Sequence, residues 1–231
     1  PVHGGGRLIR EGRVDEAVDL ALSYTPFPAT ICGYLCPNPC MQACSRHSAF
    51  MTPVDVTELG KASISAGLPE LPPLTGKRIA VIGGGPAGIS AAWQLRQKGL
   101  EAVVYDMSKT LGGKIASAIP EARIPKEVVE AELSRMREVI PHVHLQQQVT
   151  HGDIERFKED YDFVVIATGA RTPRTLPVPG IGRANAALSF LEAAKAGRAE
   201  VGRKVVIIGA GNVGCDVAAE AHRLGARQIT L

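Results

Sequence analysis

Aromatic side chains make up only 4% of this chain of 231 residues, and no long uninterrupted apolar run occurs in it. No segment approaches the roughly 20 apolar residues that a membrane-crossing helix needs, so no membrane span is predicted. The N-terminus also lacks the pattern of a secretory leader, and we expect a cytoplasmic protein. The net charge is only +3 and the basic residues are dispersed. Nucleic acid is therefore excluded as a partner, because its binding needs a concentrated basic face.

Cysteine is scarce outside one short segment. Four of the five cysteines lie between positions 32 and 44, which does not resemble the disulfide framework of a secreted chain. No Cys-x-x-Cys pair is present, which argues against a thioredoxin-reductase-like disulfide centre. The fifth cysteine, Cys215, falls on a predicted helix and is expected to be a packed thiol.

Two glycine motifs, at residues 83–88 and 209–214, dominate what is present. Each follows an apolar stretch and precedes a helical pattern, and the two begin 126 positions apart. Apolar residues make up 45% and charged residues 21% of the chain, as in a soluble α/β protein. A strand, a glycine turn and a helix in succession form the dinucleotide-binding unit of doubly wound folds. Two units in tandem indicate that electrons pass from a nicotinamide to a flavin on one polypeptide.

The first motif passes three tests of a dinucleotide site. Gly83 allows the tight turn, Gly85 lets the backbone approach a pyrophosphate, and Gly88 allows close packing of the helix on the strand. The pyrophosphate would meet the positive end of the helix that starts near Pro86. Asp106 lies 18 residues beyond Gly88, where an acid is expected to bind a ribose hydroxyl. The predicted contacts come from Gly83, Gly85, Pro86, Ala87, Gly88 and Asp106.

The second motif passes the tests for a preceding strand and a following helix. The acid or arginine that would separate NAD from NADP falls beyond Leu231, so both nucleotides remain open. Because the predicted strand after this motif reaches the last residue, we expect a chain truncated inside this unit. The predicted contacts come from Gly209, Gly211, Asn212, Val213 and Gly214.

Cys32, Cys36, Cys40 and Cys44 follow one another at spacings of four. They are compatible with a structural zinc site, with iron–sulfur ligands, or with thiols that happen to be buried. The accompanying flavin and nicotinamide motifs favour iron–sulfur over zinc.

Three details of local structure are also predicted. Residues 144–149 alternate as a strand. A helix is expected from Pro125 to Val139, and its charged residues, Glu132 and Arg135 among them, are expected to face solvent. Trp93 is expected to pack in the core rather than against a flavin.

Several motifs together, over essentially the whole chain, resemble the small subunit of glutamate synthase and its relatives. Those relatives include the N-terminal half of dihydropyrimidine dehydrogenase and the large subunit of ferredoxin:NADP transhydrogenase. Besides the second glycine motif, the resemblance rests on Cys32-Gly33-x-x-Cys36-Pro37-x-Pro39-Cys40-x3-Cys44, Leu111-Gly112-Gly113, Ile119-Pro120-x2-Arg123-Ile124-Pro125-Lys126-Glu127-Val128, Tyr161-Asp162 and Ala167-Thr168-Gly169.

The resemblance implies an α/β fold in which a helical iron–sulfur domain precedes tandem Rossmann-like FAD and NAD(P) domains. The implied helical domain covers residues 1–66, and residues 67–76 form a linker. The first part of the FAD-binding domain then covers residues 77–180. Residues 181–231 form an incomplete NAD(P)-binding domain.

The resemblance also implies the cofactors. FAD would bind the first glycine motif with help from Gly112, Gly113, Thr168 and Gly169, and NADPH or NADH would bind the second motif. Two 4Fe-4S clusters would share ligands with an upstream cysteine-rich stretch. Cys36 and Cys40 would serve one cluster and Cys44 the other, while Cys32 is the weakest candidate. A non-cysteine ligand of the relatives would fall near Gly60, which cannot coordinate.

The implied function is an oxidoreductase that takes hydride from NAD(P)H to FAD and passes electrons through 4Fe-4S clusters to a larger partner subunit. No side chain stands out as an acid, a base or a nucleophile, since the cofactors carry the chemistry. The alternatives are a subunit of an electron-bifurcating transhydrogenase or another multi-subunit redox complex, and a non-catalytic structural subunit that retains the fold.

Overall fold

The computed structural model describes residues 2–173 and 176–231. Its N-terminal region consists of short helices and turns. Along the chain these are α1 (Val2–Arg10), α2 (Val14–Leu22), a π-helical turn (Ala29–Leu35), α3 (Pro39–Gln42), α4 (Val56–Ala62) and a 3-10 turn (Ser63–Ser65). We did not predict α1, because its three consecutive glycines obscure the helical periodicity.

We call residues 2–66 the N-terminal region, and we call the strands and helices around the glycine motif at residues 83–88 the first glycine unit. The N-terminal region packs on the first glycine unit through Trp93. This side chain is fully buried, and its indole N–H donates to the carbonyl oxygen of Leu22 at 2.6 Å. Ala17, Val18 and Leu22 form the buried face of α2. The prediction that Trp93 packs in the core is therefore confirmed.

The first glycine unit is a four-stranded parallel sheet with helices around it. Along the chain the elements are β1 (Arg78–Ile82), α5 (Pro86–Arg96), β2 (Glu101–Tyr105), α6 (Gly113–Ser117), α7 (Lys126–Val139), β3 (His142–His144), α8 (His151–Asp160) and β4 (Phe163–Ile166). The strands lie in the sheet in the order β3-β2-β1-β4. β1 and β2 lie in the centre of the sheet and are almost entirely buried, as their apolar sequences predict.

The second glycine unit repeats the strand, turn and helix pattern on a smaller scale. Its elements are a 3-10 turn (Ile181–Arg183), α9 (Ala187–Lys195), β5 (Lys204–Val206), α10 (Asn212–Arg223) and β6 (Gln228–Thr230). β5 and β6 pair in parallel. Among the residues that the structure describes, no helix combines the length and the apolar character needed to cross a bilayer.

The predicted strand over residues 144–149 is wrong. The strand at this place, β3, ends at His144. Gln146 follows with a φ of 56°, in the left-handed region, and its N–H donates to the carbonyl oxygen of Ser108 at 2.9 Å. A residue with this backbone conformation cannot continue a strand. Thr150 then caps α8, a helix that we did not predict.

The prediction that the charged residues of α7 face solvent is wrong for two of them. Glu132 is fully buried and Arg135 is 7% exposed. They lie one turn apart on the face that also buries Val129, Leu133 and Met136. Buried charges need polar partners, and both side chains find them in the backbone of the N-terminal region.

Candidate dinucleotide sites

The first glycine motif connects β1 to α5 in a conformation that requires glycine. Gly83 has a φ of 112°, and an added Cβ would overlap the carbonyl oxygen of Ala167, just after β4. A Cβ on Gly88 would overlap the carbonyl oxygen of Gly83. The start of α5 therefore lies directly against the end of β1. Its free N–H groups are available to an anion at this edge of the sheet.

Asp106 organises the loop of this motif. One carboxylate oxygen accepts a hydrogen bond from the N–H of Gly84, and the other accepts one from the N–H of Ser108, each at 2.6 Å. A carboxylate offers about four acceptor positions, so Asp106 can still accept a hydrogen bond from a hydroxyl group.

The Leu111-Gly112-Gly113 segment packs against the same loop. The N–H of Gly112 donates to the carbonyl oxygen of Gly84 at 2.8 Å. A Cβ on Gly113 would lie 2.9 Å from the Cα of Gly85, so a larger residue would push the two segments apart. The fold thus brings together two glycine segments that are far apart in the sequence.

A cleft of about 1180 Å³ opens above these segments. Eight of the predicted residues line it, namely Gly83, Gly85, Pro86, Ala87, Asp106, Gly113, Thr168 and Gly169. Leu188, Ser189 and Glu192, all on α9, line it from the second glycine unit. Gly88 and Gly112 support the loop by close packing. The volume, the glycine-lined floor and the helix start fit a bound dinucleotide.

The cleft carries more positive than negative charge. Five basic side chains line it, namely Lys109, Lys114, Arg171, Lys195 and Arg198, against the two acids Asp106 and Glu192. Sequence analysis missed them because they come from four separate segments. This excess favours an anionic ligand such as a pyrophosphate.

Lys195 lies half-buried at the α9 side of the cleft. Its ammonium group donates to the carbonyl oxygens of Ile119 at 2.7 Å and Ile115 at 3.1 Å, near the end of α6. Burial lowers the pKa of Lys195. Arg123 and Asp216 make a further link between the two glycine units, with a nitrogen-to-oxygen distance of 3.0 Å.

Tyr105, at the end of β2, forms an aromatic wall beside Asp106. Its ring stacks on His144 and on Phe157, with centroid distances of 4.8 and 4.6 Å. Its hydroxyl shares a hydrogen bond of 2.7 Å with that of Tyr161. Burial, and secondly this hydrogen bond, raise the pKa of Tyr105 from 10.0 to about 12. The folded state therefore binds the Tyr105 proton more tightly than the unfolded state does. The free energy of unfolding consequently falls as the pH rises from 10.0 to about 12.

We expect Tyr161→Phe to lower the pKa of Tyr105 toward 10.0 without restoring it fully, because burial remains. NMR shifts of the tyrosine ring carbons, followed against pH, measure this. Tyr24→Phe is the control, since Tyr24 is 61% exposed on the N-terminal region. An unchanged Tyr105 titration in the Tyr161 variant would contradict the role of the hydrogen bond.

The second glycine motif has the same local geometry as the first. Gly209 has a φ of 111°, and a Cβ on Gly214 would overlap the carbonyl oxygen of Gly209. The space beside Gly209 and Gly211 is open, so a ligand could approach the backbone there. Asn212 and Val213 begin α10. This motif fits a dinucleotide, but none of its residues lines the large cleft.

The prediction for Cys215 is wrong, because this thiol is exposed. It lies in the first turn of α10, on a different face of the helix from the buried residues Val217 and Ala221. Its Sγ is 3.8 Å from the carbonyl oxygen of Ala210.

The four clustered cysteines do not form a metal site of their own. Cys40 is exposed on α3, and Cys32, Cys36 and Cys44 are partly buried. In residues 2–173 and 176–231, no group of three or more histidine, cysteine or acidic side chains is placed to hold a metal ion. Cys32 lies on the π-helical turn and Cys40 on α3. The residues present therefore do not fit a complete iron–sulfur ligand set.

The environments of the thiols differ. Burial, and secondly the nearby Cys36, raise the pKa of Cys32. Hydrogen bonds from the backbone, with that of Val54 the largest contribution, lower the pKa of Cys44. The N–H of Asn38 donates to the sulfur of Cys36 at 3.4 Å.

Comparison with known proteins decides the family. The sequence profile of the family described as pyridine nucleotide-disulphide oxidoreductase matches residues 77–231, which include both glycine motifs. The chain belongs to this family.

Two curated relatives match almost the whole chain, including residues 32–44, where the four clustered cysteines lie. The small chain of glutamate synthase [NADPH] from Mycobacterium tuberculosis is 32% identical over 95% of this chain and 49% of its own length. The beta subunit of NADPH-Fe(3+) oxidoreductase from Geobacter sulfurreducens is 29% identical over 96% of this chain and 35% of its own length. The resemblance to glutamate synthase small subunits is confirmed. The chain spans about half or less of the length of these relatives.

Solved structures in the family's fold agree with the architecture. Mycobacterium tuberculosis FprA in complex with NADPH superposes with a TM-score of 0.55, at 23% identity, over 66% of this chain and 41% of its own. At this identity the likeness shows the fold alone, an α/β fold with a parallel sheet.

Proposed function

We propose that this chain is the electron-input module of an NAD(P)H-dependent flavoprotein, with FAD in the large cleft and the nicotinamide nucleotide at the second glycine motif. One observation carries the proposal. Two glycine turns precede two helices on one chain, and in each turn the last glycine of the motif leaves no room for a Cβ. The first of these turns lines a basic cleft. The names of the relatives, which are NADPH-dependent oxidoreductase subunits, support it.

The chain's own residues bind and orient the cofactor. The N-terminal amides of α5 and the basic rim would hold the FAD pyrophosphate, and Asp106 would accept a ribose hydroxyl. Gly112, Gly113, Thr168 and Gly169 would allow the flavin to approach the backbone. Bound FAD would supply the hydride-accepting and single-electron chemistry.

The second motif would hold the reduced nicotinamide. Gly209 and Gly211 leave the backbone open, Gly214 lets α10 pack closely on Gly209, and α10 offers its N-terminal amides to a pyrophosphate. Most of the relatives' printed names give NADPH or NADP(+), and one, glutamate synthase of Schizosaccharomyces pombe, gives NADH. We therefore propose NADPH as the preferred nucleotide. The proposed division of the chain remains a helical domain over 1–66, a linker over 67–76, an FAD-binding part over 77–180 and an NAD(P)-binding part over 181–231.

A larger electron-accepting subunit is the proposed partner. Relatives named as a small chain or a beta subunit support this, and they also support the alternative of another multi-subunit redox complex. Iron–sulfur ligation by Cys36, Cys40 and Cys44, with Cys32 the weakest candidate, would need further ligands, because these residues do not form a set alone. A cytoplasmic location remains part of the proposal, because the cysteine pattern does not resemble a secreted disulfide framework.

Gly214→Ala tests the assignment of the two motifs. We expect the variant of the full-length protein to retain the visible absorbance of FAD. We expect NADPH to reduce that flavin at least tenfold more slowly, because the new Cβ displaces α10 from Gly209. Anaerobic stopped-flow absorbance measures the rate.

Gly202→Ala is the matched control, since its Cβ would meet only the carbonyl oxygen of Lys204, at 3.7 Å. Loss of flavin in Gly214→Ala with normal unfolding would place FAD at the second motif instead. A full-length protein without any flavin would support the structural-subunit alternative.

A further inference from the structure

Glu132 reaches from α7 into the cysteine segment, defined here as residues 29–44. The side chain is fully buried. Its two carboxylate oxygens accept hydrogen bonds from the N–H groups of Ala29 at 2.7 Å and Thr30 at 3.0 Å. These are the first two residues of the π-helical turn that carries Cys32. A negative charge at the amide end of a helical turn is favourable.

Arg135 makes the opposite contact one turn later on α7. Its guanidinium donates to the carbonyl oxygens of Ser63 at 2.6 Å, Ala66 at 3.1 Å and Ile64 at 3.2 Å. These carbonyls belong to the 3-10 turn and the residue after it. Arg135 therefore binds the C-terminal end of the N-terminal region, at residues 63–66. Glu132 binds the first two residues of the cysteine segment.

The same helix contacts the dinucleotide cleft. Leu133, next to Glu132, packs so closely on Gly112 that a Cβ there would lie 3.0 Å from the leucine side chain. Gly112 in turn bonds the first glycine loop. A short path therefore runs from Thr30 through Glu132, Leu133 and Gly112 to the floor of the cleft.

Stability alone does not explain two buried charges at this place. Replacement of a buried charged pair by a well-packed apolar pair is often neutral or stabilising, and in some proteins the buried charges specify one arrangement of the fold. Burial raises the pKa of Glu132 and lowers that of Arg135, so both charges are held at a cost. The contacts at residues 29–30 and at residues 63–66 are made by backbone groups, whose positions these charges fix.

We propose that Glu132 and Arg135 are positioning residues that fix the cysteine segment relative to the dinucleotide cleft. In terms of the proposed function, which this inference deepens, they set the position of the thiols relative to bound FAD. Without Glu132 the first two amides of the π-helical turn lose their carboxylate acceptor and Cys32 changes position, while the residues that line the cleft are unchanged.

The test uses Glu132→Gln and Glu132→Ala in the full-length protein. We expect hydrogen exchange of the Ala29 and Thr30 amides to rise at least tenfold in the alanine variant, with an intermediate value for glutamine, which keeps one acceptor oxygen. We also expect alkylation of Cys32 to speed up relative to the exposed Cys215 in the same molecule. The unfolding midpoint in urea should fall in the alanine variant, because two buried amides lose their acceptor. Exchange at Ala29 and Thr30 should nevertheless rise more than exchange in β1, and FAD absorbance should stay close to that of the unmodified protein.

Glu130→Gln is the matched control, because Glu130 lies on the same helix with its side chain exposed and paired with Lys126. Arg135→Lys is a milder second variant. All three contacts come from one guanidinium nitrogen, Nη2, which the planar guanidinium holds in a fixed orientation. The ammonium group of lysine lies on a flexible stem and is not oriented in this way, so exchange should rise in residues 63–66.

Unchanged exchange at Ala29 and Thr30 would overturn the proposal, as would an equal rise in β1, which would show a general loss of stability. Absence of FAD from the unmodified protein would count against the proposed function. The exchange measurement would still decide the positioning role.

Discussion

Gly88→Ala is expected to give a protein that binds no FAD. Gly88 lies in the first turn of α5, and a Cβ at this position would overlap the carbonyl oxygen of Gly83 and lie 3.3 Å from the side chain of Val81. Neither the backbone of Gly83 nor the fully buried Val81 can yield. The helix start must move away from the strand, and its amides then no longer converge on the pyrophosphate. The ratio of flavin to protein absorbance after purification measures the loss.

The control for this variant is Gly182→Ala, in a 3-10 turn where an added Cβ meets no atom within 4 Å. It should bind FAD normally. Circular dichroism of both variants shows whether the sheet remains. Full flavin content in Gly88→Ala would mean that the first motif does not hold the cofactor.

Gly60→Ala is expected to disrupt the cysteine segment. Gly60 lies on α4, and a Cβ there would lie 2.7 Å from the backbone nitrogen of Gly33 and 2.8 Å from the carbonyl oxygen of Pro28. All of these atoms belong to backbone, so the segment must shift as a whole. Overpacking of this kind costs about 1–3 kcal/mol. Urea unfolding, together with the alkylation rate of Cys32, measures the effect.

Gly6→Ala is the matched control within the N-terminal region, because its nearest neighbour would be Val54 at 3.7 Å. Equal stability of the Gly60 and Gly6 variants would contradict the close packing. Gly60 also shows why a metal-ligating side chain is absent at this position. The backbone of residues 28–33 occupies the space that such a side chain would need.

The sequence predicts those parts of the site that depend on backbone geometry. A positive φ favours glycine, and a backbone that leaves no room for a Cβ requires it, so these glycines recur at fixed spacings in both motifs. Gly83, Gly88 and Gly214 are examples. Asp106 was found by its distance from the motif, because the length of one helix and one strand fixes that distance. The parallel order of the strands follows from the same repeat of strand and helix.

What the sequence could not predict depends on contacts between distant segments. Glu132 and Arg135 have the spacing of a solvated charge pair, and only the backbone groups that approach them from residues 29–66 explain their burial. The basic side chains of the cleft come from separate helices and loops and leave no local pattern. The cysteine spacing, regular along the chain, is divided between a π-helical turn and α3, and periodicity does not predict a π-helical turn.

The most direct test of the central claim is an anaerobic visible spectrum of the full-length protein, recorded before and after separate additions of NADPH and NADH. We predict a flavin spectrum that corresponds to one FAD per chain and bleaches on addition of a reduced nicotinamide, with NADPH the faster reductant. A colourless protein, or a flavin that neither nucleotide reduces, would contradict the assignment of this chain as an electron-input module.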